Sequence, residues 1–286
     1  EGNPVLDLGM EHFRDPKVFR FQDNWIMAVV KAHEHLVSFY SSTDLVDWTF
    51  LSDFGKVGAT GGQWECPDFF PVKVEGSTEM KWVLLQSINP GGPNGGSATQ
   101  YFVGDFDGKT FTLDNSFTQD LKQFGALWLD YGKDNYAGVT FGNEPTGKRI
   151  LIGWLANWSD VKNHPATSWT TQMTIPRELG LIDYNGELHL TQSPLCDALY
   201  ELKVKVPPTG IIGLTGFVKV GFNADKNVVF VNEFEAPYIP LGEEIVLKVV
   251  VDKSSVELFT GDGLRSISLA VFPEPGTSRD LELFQE

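Results

Sequence analysis

The chain has few of the residues on which several protein classes depend. Of its 286 residues only Cys66 and Cys196 are cysteines, too few for a disulfide framework. No apolar run approaches the ~18 residues that a membrane-spanning helix needs, so we expect no membrane segment. Lysine and arginine together number 22 against 38 acidic residues, which gives a net charge of −16. This charge disfavours nucleic acid and anionic membranes as partners, because phosphate binding needs clustered cations.

Metal and cofactor signatures are equally scarce. The five histidines show no metal-ligand spacing, and no Lys-Ser/Thr pair of a phosphate-binding loop follows the glycine-rich stretch 91–96. Cys66 has no histidine in a recognisable Cys/His motif, so we interpret it as a small buried hydrophobic residue rather than a nucleophile. We therefore expect neither a metal nor a cofactor.

Long helical periodicity is also almost absent. Most segments are short, rich in β-branched or aromatic residues, and bounded by Gly, Pro, Asn or Asp, a pattern typical of strands. We predict an all-β protein in which residues 1–60, 61–120 and 121–193 form three four-stranded units, the repeat expected of propeller blades. Residues 197–286 alternate apolar and polar positions in short strands, which predicts a second domain, a β-sandwich.

Two short carboxylate motifs open successive units. They are Arg14-Asp15-Pro16 and Trp64-Glu65-Cys66-Pro67, which lie fifty positions apart. Equivalent positions in neighbouring units indicate a shared centre, and glycoside hydrolysis needs two convergent carboxyl groups. The flanking Trp64 and Cys66 give Glu65 the apolar surroundings that suit a proton donor, and Arg14 favours a carboxylate at Asp15. Taken alone, the motifs also fit a turn at Asp15 and an incidental strand acid at Glu65.

Taken in order, the motifs resemble those of glycoside hydrolase family 32, the group of invertases, inulinases and levanases. The resemblance covers nearly the whole chain. The matching stretches are 13–18, 40–48, 64–67, 89–93, 100–104, 130–133, 153–158, 173–179 and, in the predicted sandwich, 251–259.

This resemblance implies a five-bladed propeller followed by a β-sandwich, and cleavage of terminal β-fructosyl bonds with retention. Carried over by motif, Glu65 is the general acid/base and Asp15 binds fructose hydroxyls and stabilises the transition state. Arg14 holds these two carboxylates in place. A fructose-containing sugar, either sucrose or a fructan, is the implied partner. A secreted or extracytoplasmic location fits the acidic composition.

Four further positions carry expected roles in substrate binding. Asp130 is expected to line the pocket floor, and Lys133 to reach the leaving-group side. Trp158 resembles an aromatic pocket wall, with Asn157 beside it. The chain departs from the family at Trp169-Thr170, where an arginine commonly follows the tryptophan.

A larger departure concerns the family's nucleophile, an aspartate in a Trp-Met-Asn-Asp-Pro-Asn-Gly motif that these 286 residues lack. Pro93-Asn94-Gly95 repeats it only in part, with Gly92 in place of the aspartate. Few residues precede Phe13, whereas the family has about two blades there, so the resemblance implies about three blades in this chain. An open ring leaves sheet edges exposed. We expect a missing N-terminal segment, or a second copy in a homo-oligomer, to complete it.

Three interpretations stay open at this point. The chain is a β-fructosidase, or part of one, whose activity needs the missing segment. Alternatively it is a non-catalytic fructoside-binding protein derived from such a hydrolase. The third interpretation is an interaction module whose acidic propeller face contacts a protein partner.

Overall fold

The computed structural model describes residues 2–163, 165, 168–197 and 199–286. Regular structure in these ranges is almost entirely β-strand, so the all-β prediction is confirmed. None of their helices is long and apolar enough to cross a membrane.

Two four-stranded antiparallel sheets occupy the first two predicted units, each with its strands in chain order. The first sheet contains β1 (Phe13–Phe21), β2 (Asn24–Lys31), β3 (Leu36–Ser42) and β4 (Thr49–Gly55). The second contains β5 (Gln63–Lys73), β6 (Met80–Asn89), β7 (Ala98–Phe106) and β8 (Phe111–Leu113). This repeated order places β1 and β5 at equivalent edges of their sheets.

A helix that the strand pattern did not predict, α1 (Asn115–Phe124), follows the second sheet. Asp114 caps it by accepting a hydrogen bond from the Ser116 amide at 2.9 Å, and it ends at Gly125, whose φ is 77°. Two local caps flank this helix, and its ten residues are too few to show a long helical periodicity in the sequence.

The third sheet contains β9 (Tyr136–Thr140), β10 (Arg149–Leu155), β11 (Gln172–Met173), β12 (Arg177–Tyr184) and β13 (Glu187–Pro194). β11 and β12 pair with successive parts of β10, residues 154–155 and 149–151, and so act as one interrupted strand. The sheet thus repeats the four-strand order as β9, β10, β11/β12, β13. The separate strand β12 was not predicted, because its first residues continue the motif that begins at Met173.

One apolar core joins the three sheets. Phe69 of β5 is fully buried, with its ring 4.7 Å from Trp82, 5.0 Å from Phe39 and 5.2 Å from Phe106. Aromatic pairs at such distances add about 0.5–1.5 kcal/mol each beyond the burial of apolar area. Because Phe39 belongs to the first sheet and the other rings to the second, this cluster fixes how the two sheets pack.

The remaining chain forms two packed sheets around a second core, as the sandwich prediction requires. The strands are β14 (Tyr200–Lys205), β15 (Ile211–Thr215), β16 (Lys219–Asn223), β17 (Val228–Val231), β18 (Phe234–Pro237), β19 (Glu244–Val251), β20 (Ser255–Thr260), β21 (Ser266–Ala270) and β22 (Glu282–Gln285). One sheet has the order β14-β19-β20-β21 and the other β18-β17-β16-β15-β22. Because the two cores share no residue, we propose a propeller part at 1–193 and a sandwich at 197–286.

Candidate active site

The edge strands β1, β5 and β9 carry the same backbone irregularity. Each has one extra residue relative to its partner strand, between Arg14 and Lys17, between Glu65 and Asp68, and opposite residues 152–154. Within each bulge one non-glycine residue has positive φ: Asp15 at 61°, Cys66 at 49° and Ala137 at 52°. A β-bulge turns nearby side chains away from the regular pleat. The repeat therefore redirects three side chains in the same way.

The residues that precede the three bulges meet. Arg14 Nη2 lies 3.0 Å from Glu65 Oε1, and the Tyr136 hydroxyl donates a hydrogen bond to Glu65 Oε2. Arg14 also donates to Gln63 Oε1 at 2.7 Å. Glu65 thus has one donor on each oxygen, from two different neighbouring strands.

Asp15 belongs to the same group. Its Oδ2 accepts a hydrogen bond from the Cys66 amide at 2.9 Å and lies 3.9 Å from Arg14 Nε. The side chains of Arg14, Asp15 and Glu65 are 22–30% exposed, so a ligand can reach them. The structure therefore brings the two sequence-predicted carboxylates to one guanidinium, at one partly open surface.

A second set of contacts lies one step further along the same strands. Lys17 Nζ is 2.7 Å from Asp68 Oδ1 and donates to the Thr140 carbonyl at 3.2 Å, while the Thr140 amide donates to Asp68 Oδ2. Asp68 is fully buried. Charge-assisted bonds of this kind are roughly twice as strong as neutral ones. They hold β1, β5 and β9 together beneath the carboxylates.

Two neighbours of Glu65 are kept protonated. Burial, followed by the carboxylates of Asp15 and Glu65, raises the pKa of the Cys66 thiol to about 12, so this cysteine is not a thiolate nucleophile at neutral pH. Burial and the hydrogen bond to Glu65 likewise raise the pKa of Tyr136, which therefore remains a hydrogen-bond donor. The sequence interpretation gave Tyr136 no role, because the third bulge shows only in the pairing of β9 with β10.

The expected surroundings of Glu65 were wrong in one respect. Trp64 is fully buried, and its indole nitrogen donates to the Ala59 carbonyl at 2.8 Å. Successive residues of a strand face opposite sides. Trp64 therefore packs in the core, and Glu65 is surrounded by the polar groups of Arg14 and Tyr136 instead.

Asp130 occupies a different environment from the pocket floor expected for it. Its Oδ2 lies 3.1 Å from Arg177 Nη1 and accepts from the Ser268 hydroxyl at 2.6 Å, while Oδ1 accepts from the Gly132 and Ser268 amides at 2.8 Å. Arg177, fully buried, also pairs with Glu257 of β20. Both oxygens of Asp130 are thus used in a buried network between propeller and sandwich, which we call the interdomain network (Asp130, Arg177, Glu257, Ser266, Ser268). The geometry gives Asp130 a structural role.

The side chains of Asn157 and Lys133 also bind other parts of the protein. Asn157, 1% exposed, donates to the carbonyls of Lys133 and Ser97 at 2.8 and 3.2 Å and accepts from the Ser97 amide at 3.1 Å. Lys133 pairs with Asp160 beside a small cavity of about 190 Å³. Asn157 therefore holds the loop before β7 against the third sheet.

Trp158 is linked to Tyr136 through a third aromatic ring. It is 54% exposed, and its ring lies 5.0 Å from Trp154, whose ring is 6.3 Å from Tyr136. A row of three aromatic rings therefore connects the expected pocket wall to the hydrogen-bond partner of Glu65. Among the described residues, no group of three or more His, Cys, Asp or Glu side chains is arranged to hold a metal ion.

Comparison with known proteins agrees with this geometry. The model of the glycosyl hydrolases family 32 N-terminal domain matches residues 1–194, and that of the family's C-terminal domain matches residues 215–286. A levanase of Bacillus subtilis is 32% identical over 345 residues, covering 99% of this chain and 50% of the levanase. An invertase of Schizosaccharomyces pombe is 42% identical over 202 residues, covering 68% of this chain and 33% of the invertase.

Solved structures show the same likeness. The β-fructofuranosidase from Schwanniomyces occidentalis complexed with fructosyl-erythritol superposes with a TM-score of 0.85 at 27% identity, over 100% of this chain and 69% of that one. Exo-inulinase from Aspergillus awamori gives 0.83 at 27% identity, over 96% and 66%. The chain spans about half the length of the levanase. With both domain models matched in order, the chain belongs to glycosyl hydrolase family 32.

Proposed function

We propose that this chain carries the acid/base side of a β-fructofuranosidase site, which hydrolyses terminal β-D-fructofuranosyl bonds of sucrose or fructans with retention. The observation that carries the proposal is that Arg14 holds the carboxylates of Asp15 and Glu65 together on adjacent edge strands. The levanase, the invertase and the fructofuranosidases among its relatives support fructosides as the substrate class.

In the proposed reaction, Glu65 gives a proton to the glycosidic oxygen as the bond to the fructosyl anomeric carbon breaks. Asp15 accepts hydrogen bonds from furanose hydroxyls and stabilises the positive charge that develops on the ring. After the leaving sugar departs, Glu65 takes a proton from water, which attacks the same carbon. Retention also requires a nucleophilic carboxylate at about 5–5.5 Å from the acid; it bonds to the anomeric carbon as the leaving sugar departs, and this bond breaks when water attacks. We propose that this nucleophile comes from outside the 286 residues, since its motif is missing from them.

A surface suited to a further segment lies beside Arg14. A hollow of about 510 Å³ is lined mainly by apolar side chains, among them Pro4, Leu6, Phe13 and Met27. We propose that a further part of the natural protein, or a second copy, packs against this edge and completes the ring. Light scattering on the natural protein separates the two possibilities, because only the second doubles the particle mass.

The extracellular exo-inulinases among the relatives support a secreted location for the natural protein.

The test is fructose release from sucrose by the full natural protein and by Glu65→Gln and Asp15→Asn. General acid catalysis and charge stabilisation contribute factors of about 10²–10⁴, so we expect each substitution to lower kcat/KM at least about 100-fold. Glu233→Gln, at an exposed acid of the sandwich, is the matched control and should stay at the wild-type rate. Wild-type rates in both active-site variants would contradict the proposal.

The missing nucleophile motif favours one alternative, a non-catalytic fructoside-binding protein. Calorimetry with fructose distinguishes the two. Binding that depends on Asp15 but is accompanied by no release of fructose from sucrose or inulin supports the alternative. Turnover that requires Glu65 excludes it.

A further inference from the structure

A second concave site, here called the outer pocket, lies away from Glu65. Its walls come from α1, from residues 126–131, from β13 and from the sandwich, and it encloses about 420 Å³. Small-molecule sites are commonly about 300–1,000 Å³. β9, which carries Tyr136, and β13 occupy opposite edges of the third sheet. Three strand spacings, about 14 Å, separate those edges, so the outer pocket is distinct from the candidate active site.

A mostly buried carboxylate that accepts no hydrogen bond from another described residue faces this pocket. Asp120 of α1 is only 7% exposed and accepts no hydrogen bond within the described ranges of the chain. Burial, followed by the charge of Glu187, raises the pKa of Asp120, and His189 opposes this shift. A hydroxyl group of a ligand would supply the missing donor.

Two of the donor groups around the pocket are already engaged. Arg265 Nε donates to the Pro237 carbonyl at 2.6 Å, and its guanidinium lies 5.5 Å from the centre of the Tyr131 ring. The amide nitrogen of Asn94 donates to the Tyr131 carbonyl at 2.7 Å. The carboxylate of Asp120 remains as an acceptor, and the indole of Trp128 and the guanidinium of Arg265 line the same pocket as donors. A ligand that fits them presents several hydroxyl groups, which can both donate and accept hydrogen bonds.

Aromatic side chains supply the apolar part of the site. Phe124, at the end of α1, is 61% exposed, and Trp128 is partly exposed beside it. Both line the same cavity as Asp120. Apolar rings next to a few placed polar groups are the usual composition of ligand sites. A sugar ring suits this arrangement, because it has an apolar C–H face and a rim of hydroxyls.

We propose that the outer pocket is an accessory binding site for a fructan chain, separate from the site of cleavage. The choice of a fructan among oligosaccharides rests on the proposed function. The shape and the hydrogen-bonding groups of the pocket are observed independently of that function. Cleavage needs Glu65, whereas this site holds another part of a long substrate on the same molecule.

The test is titration calorimetry with nystose, a short fructan, on the full natural protein carrying Glu65→Gln, which prevents turnover during the measurement. We expect Phe124→Ala and Asp120→Asn, each added to this protein, to weaken one class of nystose binding at least about tenfold. Phe50→Ala and Asp23→Asn change a similarly exposed ring and an exposed acid elsewhere. These matched controls should bind like the parent.

Unchanged nystose binding in both outer-pocket variants, or no nystose binding at all, would overturn the inference. Binding of spermidine at this pocket in place of nystose would overturn it too, because the site would then be one for cations. In the active protein, the variants should raise KM for inulin several-fold and leave kcat/KM for sucrose unchanged. If sucrose and inulin are not hydrolysed but nystose binding still depends on Phe124, the proposed function fails and the inference stands.

Discussion

One carboxylate oxygen of Glu65 pairs with Arg14 of β1, and the other accepts a hydrogen bond from Tyr136 of β9. A proton donor must be oriented toward the leaving oxygen, and hydrogen bonds from two rigid strands restrict its rotamers. The residue that we propose as the proton donor is therefore positioned by units on both sides of its own. This arrangement makes Tyr136 a positioning residue.

Removing the Tyr136 hydroxyl should affect the reaction more than the fold. We expect Tyr136→Phe to lower kcat/KM for sucrose about tenfold or more, because Glu65 loses one of its two orienting donors. The phenyl ring still fills the same space, so the melting temperature should change little. Steady-state kinetics with a pH profile tests this, because a merely structural role would leave the profile unmoved. Tyr184→Phe, at a partly exposed tyrosine, is the control.

Asp134 provides a second prediction for a single residue. Burial raises its pKa to about 6, and it accepts a hydrogen bond from the Ala270 amide at 2.8 Å. In the unfolded chain this carboxyl loses its proton near its ordinary value of 3.8. Between about pH 4 and 6 the folded state therefore binds more protons, and stability falls as the pH rises through this window. The loss is up to about 3 kcal/mol, at about 1.36 kcal/mol per pKa unit.

Asp134→Asn should remove this fall, since an amide does not ionise and its oxygen can still accept from Ala270. We expect the variant to be as stable as the wild type near pH 4 and more stable at pH 7. Urea unfolding at both pH values measures the difference. An equal dependence of stability on pH in the variant and in an Asp23→Asn control would contradict the assignment.

Among the secondary-structure elements, the three edge strands with a bulge contribute most to the candidate site. β1, β5 and β9 each carry one, and each places the preceding side chain in the same group. The sequence predicted the first two positions because Asp-Pro and Cys-Pro dipeptides stand out. The third was missed, because Tyr136-Ala137-Gly138 carries no proline and no acid.

Ala137 offers a test of the bulge, since its φ is 52°. A β-branched residue rarely adopts this conformation. We expect Ala137→Val to destabilise the fold by about 1–3 kcal/mol and to reduce activity by displacing Tyr136. Ala137→Gly, which favours positive φ, should retain both. Thermal unfolding and sucrose hydrolysis, measured on both variants, test this prediction. Equal stability and equal activity of the two variants would count against a strained bulge.

Local sequence pattern explained other elements to different degrees. Alternation and turn residues predicted the first two sheets and much of the sandwich, because most of these strands pair with their neighbours in the chain. In the sandwich, β14 and β22 instead pair with the distant strands β19 and β15. The pattern failed at α1, where caps at Asp114 and Gly125 define a helix of only ten residues. It also failed to separate β11 from β12, since both pair with β10 and only the pairing reveals the interruption.

On the scale of the whole molecule, the interdomain network links propeller and sandwich. Arg177 reaches Asp130 of the propeller part and Glu257 of the sandwich, and all three side chains are buried. No local pattern could predict this contact, because its partners are 47 and 80 positions from Arg177. For the same reason the sequence showed the motif of Asp130 but not its contact with Arg177.

Removing Arg177 should leave two buried carboxylates without their cation. We expect Arg177→Met to destabilise the protein by about 3–5 kcal/mol. Burial already raises the pKa of Glu257 and Arg177 opposes this, so the loss should be larger at pH 7 than at pH 5. Scanning calorimetry should show the sandwich unfolding earlier than in the wild type. Arg20→Met, at an exposed arginine, serves as control, and equal transitions in the two variants would refute the role of the network.

The most direct test of the active-site assignment is a crystal structure of the natural protein with Glu65→Gln and bound sucrose. The account predicts a fructosyl ring whose hydroxyls lie within hydrogen-bonding distance of Asp15, and whose glycosidic oxygen faces the side chain at position 65. A fructosyl ring bound elsewhere on the molecule, touching neither position, would contradict it.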